Sequence, residues 1–107
     1  MRQIVDDQRL EGALDYLTET DESSAEAKAE VERQEIRRKR ARARCFLEAE
    51  GSNDVRKAQA EVNPQVAEAD ESYVQAVIAH EKLKARRERA DIIVRVWQTL
   101  SANQRKG

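Results

Sequence analysis

The chain contains one cysteine, one histidine and one proline, with only three glycines and four aromatic residues. The single cysteine, Cys45, rules out an internal disulfide and fits a reducing compartment. It leaves Cys45 with His80 as the sole Cys–His combination, and nothing at hand would orient the imidazole. Di-iron bundles use Glu-x-x-His, but the residue three before His80 is Val77. No P-loop, G-x-G-x-x-G or G-x-S-x-G motif is present. The expectation is a protein that is not an enzyme, with no cofactor, metal or small-molecule substrate. Scarce aromatics remove the stacking platforms of many single-strand binders. No apolar run approaches the ~20 residues that span a bilayer. The polar start Met1–Leu10, with Asp6 and Asp7 in it, does not read as a signal peptide. These absences point to a cytoplasmic protein with no membrane contact.

What the chain has is helix-forming residues. Ala, Glu, Lys, Leu and Arg fill 56 of 107 positions, a share typical of long helices and coiled coils. Leu, Ile, Val and Phe supply only 21 positions, yet a net charge of −1 argues against disorder, which needs unbalanced charge as well. So thin a core predicts homo-oligomerisation.

The clearest pattern is in the last third. Val66, Ala69, Tyr73, Ala76, His80, Leu83, Arg87, Ala90, Val94, Trp97 and Ser101 alternate steps of three and four, a heptad seam on a long helix. Asn63-Pro64 opens that helix, asparagine as cap and proline at the first helical position. Gly51-Ser52-Asn53-Asp54 is a loop, followed by a short helix to Val62. Upstream, Ser23 with Glu26 matches a capping box and predicts a restart after Thr20–Ser24. A first amphipathic helix carries Leu10, Ala13, Leu14 and Leu17 on one face, capped by Asp6 or Asp7 and weakened by Gly12. The predicted architecture is one all-α domain over 1–107, with helices at 6–19, 23–50, 53–62 and 64–101. It is a long antiparallel, coiled-coil-like hairpin of 23–50 against 64–101, with a short N-terminal helix and a helical connector. The tail 101–107 is expected to fray. Helix 23–50 presents a poor apolar stripe of Ala25, Ala29, Ile36, Ala43 and Phe46/Leu47, with Glu32 and Arg40 in its missing turns. Arg87 on the seam is expected to reach Glu32 or Glu35.

Charge is segregated along helix 23–50. Asp21–Glu35 holds six acids against Lys28 and Arg33, whereas residues 37–44 hold six bases in eight. Arg33, Arg37, Arg40 and Arg44, spaced 4, 3 and 4, share one stripe, with Arg38 beside it. Lys82, Arg86 and Arg89 form a second basic face. Arginine suits phosphate by its bidentate geometry. The competing reading pairs these bases with Glu26, Glu30, Glu48, Glu81 and Glu88, and the pI near 5.9 is low for a dedicated nucleic-acid binder. An acidic protein partner is a third reading.

The segments Ala85-Arg86-Arg87-Glu88-Arg89-Ala90 and Val96–Arg105 resemble the ending of small helical proteins of tailed phages and prophages, and Glu50-Gly51-Ser52 and Arg56-Lys57-Ala58 are similar to that group. The resemblance spans about residues 36–105. It implies a bacterial host and a setting beside recombination or single-strand annealing genes, and it carries over no catalytic residue. The expected function is a non-enzymatic phage accessory protein that assists DNA recombination or single-strand handling. Its partners would be single-stranded DNA or a recombination protein, its phosphate contacts Arg33, Arg37, Arg38, Arg40 and Arg44, helped by Lys82, Arg86 and Arg89. The alternative is an adaptor or inhibitor of a host protein, docking through Ile93, Val96, Trp97 and Leu100.

Overall fold

The computed structural model describes residues 4–106, with side chains described through residue 105. Among these residues the protein is all-α and without strands: α1 is Asp7–Glu48, α2 Asn53–Val62 and α3 Pro64–Lys106. α1 and α3 pair antiparallel as the arms of a helical hairpin, and α2 is the connector. The contacts fall into two compact units, one of Met1–Ala25 with Glu81–Gly107 and one of Glu26–His80.

The helix ends follow local chemistry. The Asp6 carboxylate accepts the Arg9 amide at 2.8 Å and caps α1. Gly51, at φ 113°, takes the left-handed position after α1. Ser52 caps α2 by accepting the Val55 amide at 3.3 Å. Asn63 ends α2, its own N–H donating to the Ala60 carbonyl, and starts α3, its Oδ1 accepting the amides of Gln65 and Val66 at 2.8 and 3.4 Å. Pro64 at the first helical position sacrifices no intrahelical bond.

All eleven seam residues predicted on α3 are buried or half-buried. The expected break at Thr20–Ser24 is absent, and the expected separate helix 6–19 is the first part of α1. Two features keep the helix continuous. Thr18 and Thr20 satisfy their hydroxyls on the carbonyls of Leu14 and Tyr16, four residues back, as threonine does inside a helix. The inward positions also keep phase: Leu10, Ala13, Leu17, Thr20, Ser24, Ala27, Val31, Gln34, Arg38, Ala41 and Cys45 are each at least half-buried, at alternating steps of three and four. The capping-box residues Ser23 and Glu26 are exposed within this helix. At the other end, the expected fraying tail is helical through Lys106, while Gly107 lies outside the described residues.

The stripe expected on 23–50 is also corrected. Ala25, Ile36, Ala43 and Leu47 are exposed, as are Glu32 and Arg40, because the true seam runs along Ser24, Ala27, Val31, Gln34, Arg38 and Ala41. In the unit Glu26–His80 the core is Ala60, Val66 and Ala69, with Val66 only 1% exposed. In the other unit it is Val5, Ala13 and Ala90. Small side chains at these points let the helix backbones approach closely.

Arg87 does not reach Glu32 or Glu35. In its own unit it donates to the Leu17 carbonyl at 2.9 Å, the Thr20 hydroxyl at 2.6 Å and the Asp21 carboxylate at 2.7 Å. Thr20 turns its hydroxyl proton to Tyr16 and accepts from Arg87, so a polar seam residue is satisfied on both sides.

Two glycine substitutions separate helix propensity from backbone strain. A Cβ on Gly12 meets nothing within 4 Å, so Gly12→Ala raises stability by about 0.5–1 kcal/mol. At Gly51 a Cβ would sit 3.1 Å from Val55 Cγ1 in a left-handed backbone, so Gly51→Ala lowers stability by about 1 kcal/mol or more. Urea midpoints at constant m-value measure both.

Candidate phosphate-binding groove

Within the unit Glu26–His80, helical phase divides the basic run of α1 into groups with different surroundings. Arg33, Arg37, Arg40 and Arg44 stand in one row about 16 Å long at 1.5 Å per residue. They line a groove of about 740 Å³ with Ile36 and Ala41, and α3 supplies the facing wall of Gln65, Glu68, Ala69 and Ser72. Arg37, Arg40 and Arg44 are exposed and have no carboxylate partner among the described residues.

The remaining bases of the segment are engaged. Arg33 donates from Nε to Glu30 at 3.0 Å and also pairs with Glu26, and these two carboxylates raise its pKa, Glu30 first. The Glu30 carboxyl is held below its usual range by the Gln34 hydrogen bond and then by Arg33. Lys39 pairs with Glu35 one turn earlier, at 3.3 Å. Arg42 grips both oxygens of Asp70 at 2.7 Å and Glu61 at 3.1 Å, tying α1 to α2 and α3. That fork holds the Asp70 carboxyl below its usual range and pushes the guanidinium up.

Arg38 does not line this groove. It occupies a seam position with its guanidinium 4.1 Å from the centre of the Tyr73 ring. Its buried Nε has no hydrogen-bond partner, and neither does Oε1 of the adjacent seam residue Gln34. One residue of helical phase separates Arg38 from Arg37, and it turns the side chain from solvent to the helix interface.

Lys82, Arg86 and Arg89 are exposed on α3, but they belong to the other unit and do not line this groove. In that unit Ile93, Val96, Trp97 and Leu100 are half-buried. Trp97 is on the seam and donates its indole N–H to Asp7 at 3.3 Å. Val96 and Leu100 instead border a shallow cavity of about 290 Å³ with Ile92, Arg95 and Thr99. The exposed apolar residue there is Ile92, 51% accessible.

Sequence reasoning missed the facing wall of the groove. Gln65, Glu68 and Ser72 are spaced 3 and 4 beside the α3 seam, so they were visible as a flank once the seam was drawn. It also missed the Arg42–Asp70 fork, whose partners are 28 residues apart. No hydrogen bond joins Cys45 to His80 among the described residues, and none of those residues form a cluster of three or more potential metal ligands. No known protein family matches the chain, and neither does any curated protein or solved structure.

The Arg42–Asp70 fork predicts a pH signature. Because the Asp70 pKa is lowered in the folded protein, its stabilisation is full above the unfolded carboxyl pKa of about 3.9 and is lost as pH falls through that value toward the native one. Urea midpoints between about pH 5 and 2 will show a shallower acid loss of stability in Asp70→Asn than in the parent.

Proposed function

We propose that the protein is a non-enzymatic accessory protein that binds nucleic acid, single-stranded DNA in particular, through the α1 arginine row. The observation that carries this reading is the exposed set Arg37, Arg40 and Arg44, free of carboxylate partners among the described residues and bordering an open groove. Other bases of the chain, Lys39, Arg42 and Arg95, pair with carboxylates instead. The arginine spacing of three to four residues sets successive side-chain origins about 4.5–6 Å apart along the helix axis, a scale that suits successive phosphates of an extended strand. On the facing wall Gln65 and Ser72 offer hydrogen-bonding groups to base or sugar edges, whereas Glu68 opposes phosphate and keeps the strand on the α1 side. The resemblance to phage proteins encoded near annealing genes supports single-stranded DNA as the substrate and a bacterial host as the setting.

A second reading is a protein-interaction module with no nucleic-acid contact. The cavity bordered by Ile92, Val96 and Leu100 favours it, since exposed apolar surface marks docking sites.

A salt titration of single-stranded oligonucleotide binding decides between them. Phosphate contacts make log K fall by about 0.7 per phosphate neutralised for each decade of salt. The triple variant R37A/R40A/R44A will reduce that slope by about 2, while K82A/R86A/R89A will leave it less affected. Absence of binding at low salt leaves the protein-interaction reading.

A further inference from the structure

The arginine-lined groove has two walls of opposite character that do not touch. It lies wholly within the unit Glu26–His80. There the Arg42 fork on Asp70 and the Arg38 guanidinium over Tyr73 set the register of α1 against α3. In that antiparallel register Arg44 stands level with Glu68, and Arg40 with Ser72. Glu68 is exposed, yet among the described residues no basic nitrogen comes within 4.0 Å of its carboxylate. Nor does its own helix offer a base. The positions one turn away on either side are Pro64, Gln65, Glu71 and Ser72. Glu61 and Asp70 differ, since Arg42 holds both. Between the walls lie Ala41 and Ala69, seam residues whose small side chains leave the groove open. An arginine row and a free carboxylate thus face each other across a space of about 740 Å³.

A ligand that satisfies both walls carries an anion on one side and hydrogen-bond donors on the other. A nucleotide of an unpaired strand has that polarity, with phosphate at one end and the pairing edge of its base at the other. The bases differ in what they offer a carboxylate, which when ionised only accepts. Guanine presents N1–H and its N2 amino group side by side, two donors for two oxygens. Adenine and cytosine each present one amino group beside an acceptor nitrogen. Thymine presents a single N3–H between two carbonyl oxygens. A free carboxylate therefore favours guanine most and thymine least.

We propose that Glu68 sets the base preference of the groove, accepting from the pairing edge of an unpaired guanine while the arginine row holds the strand's phosphates. This rests on the reading of the groove as a nucleic-acid site. The neighbouring groups of the same wall discriminate little. The Gln65 amide and the Ser72 hydroxyl each donate and accept, so they adapt to any base or sugar edge. Selectivity then comes from the one group on that wall that cannot donate.

Equilibrium binding of the full chain to three single-stranded DNAs of equal length tests the preference. They are oligothymidine, a strand alternating thymidine with guanosine, and that strand with inosine in place of guanosine. Inosine keeps N1–H and lacks the amino group, and a lithium salt keeps guanine quartets from forming. At low salt the parent is expected to bind the guanosine strand about tenfold more tightly than oligothymidine, the size of a good two-bond base contact. The inosine strand is expected between them. Glu68→Gln removes the charge and places a donor in the site; Glu68 makes no bond in the fold, so helical content is expected to stay unchanged. This variant is expected to bind oligothymidine more tightly than the parent does and to lose the preference. Glu71→Gln removes the same charge from a residue that accepts from Gln75 and does not line the groove, and it is expected to keep the preference. A parent that binds all three strands equally overturns the proposal and leaves the nucleic-acid reading standing. So does a preference that survives in Glu68→Gln or disappears in Glu71→Gln. Absence of binding to every strand at low salt refutes that reading and the proposal with it.

Discussion

The packing of α1 against α3 through a narrow heptad seam is the constraint from which the other features follow. With small residues such as Ala13, Ala69 and Ala90 buried along it, the helices bury little apolar area, and hydrophobic burial scales with area. Direction and register therefore fall largely to polar groups. Arg87 bonds to one α1 turn through Leu17, Thr20 and Asp21, and Arg42 forks onto Asp70. Such geometrically demanding contacts discriminate between registers more sharply than alanines do, as polar residues at seam positions do in coiled coils.

The same narrowness governs what the surface offers. Only two residues in seven are needed inside, so most of each helix stays in water and its charge pattern is free to serve another purpose. The basic run shows how finely phase sorts it. Arg37 is exposed, Arg38 lies over Tyr73, Lys39 pairs with Glu35, and Arg42 closes on Asp70. Counting bases in a linear window overstates the free positive charge, and helical phase is what identifies the residues left for a ligand.

The α3 seam could be read from the sequence because its large residues, Tyr73, Leu83, Val94 and Trp97, keep time between the small ones. The caps at Gly51, Ser52 and Asn63-Pro64 were legible for a local reason: each residue type fits a backbone geometry that few others accept. The α1 seam was hidden. Its inward positions include Thr20, Ser24, Gln34 and Arg38, while the apolar residues Ile36 and Leu47 face outward, so a search for apolar periodicity settles on the wrong face. The break expected at Thr20–Ser24 rested on the capping-box match of Ser23 with Glu26, a local pattern that here lies inside a continuous helix. The shared exposure of Arg33, Arg37, Arg40 and Arg44 was legible from their own spacing. The half-buried place of Arg38 was not, since membership in the seam depends on α3, which local sequence does not show.

Asn63 occupies an unusual position in chemical terms as well as geometric ones. One side-chain oxygen and one backbone N–H of this residue hold the end of α2 and the start of α3 together. Asparagines commonly age by deamidation, in which the backbone nitrogen of the next residue attacks the side-chain carbonyl to form a succinimide. Here the next residue is Pro64, whose ring nitrogen carries no hydrogen and cannot complete that ring closure. The proline that starts α3 thus also shields the capping asparagine before it from this route of spontaneous damage.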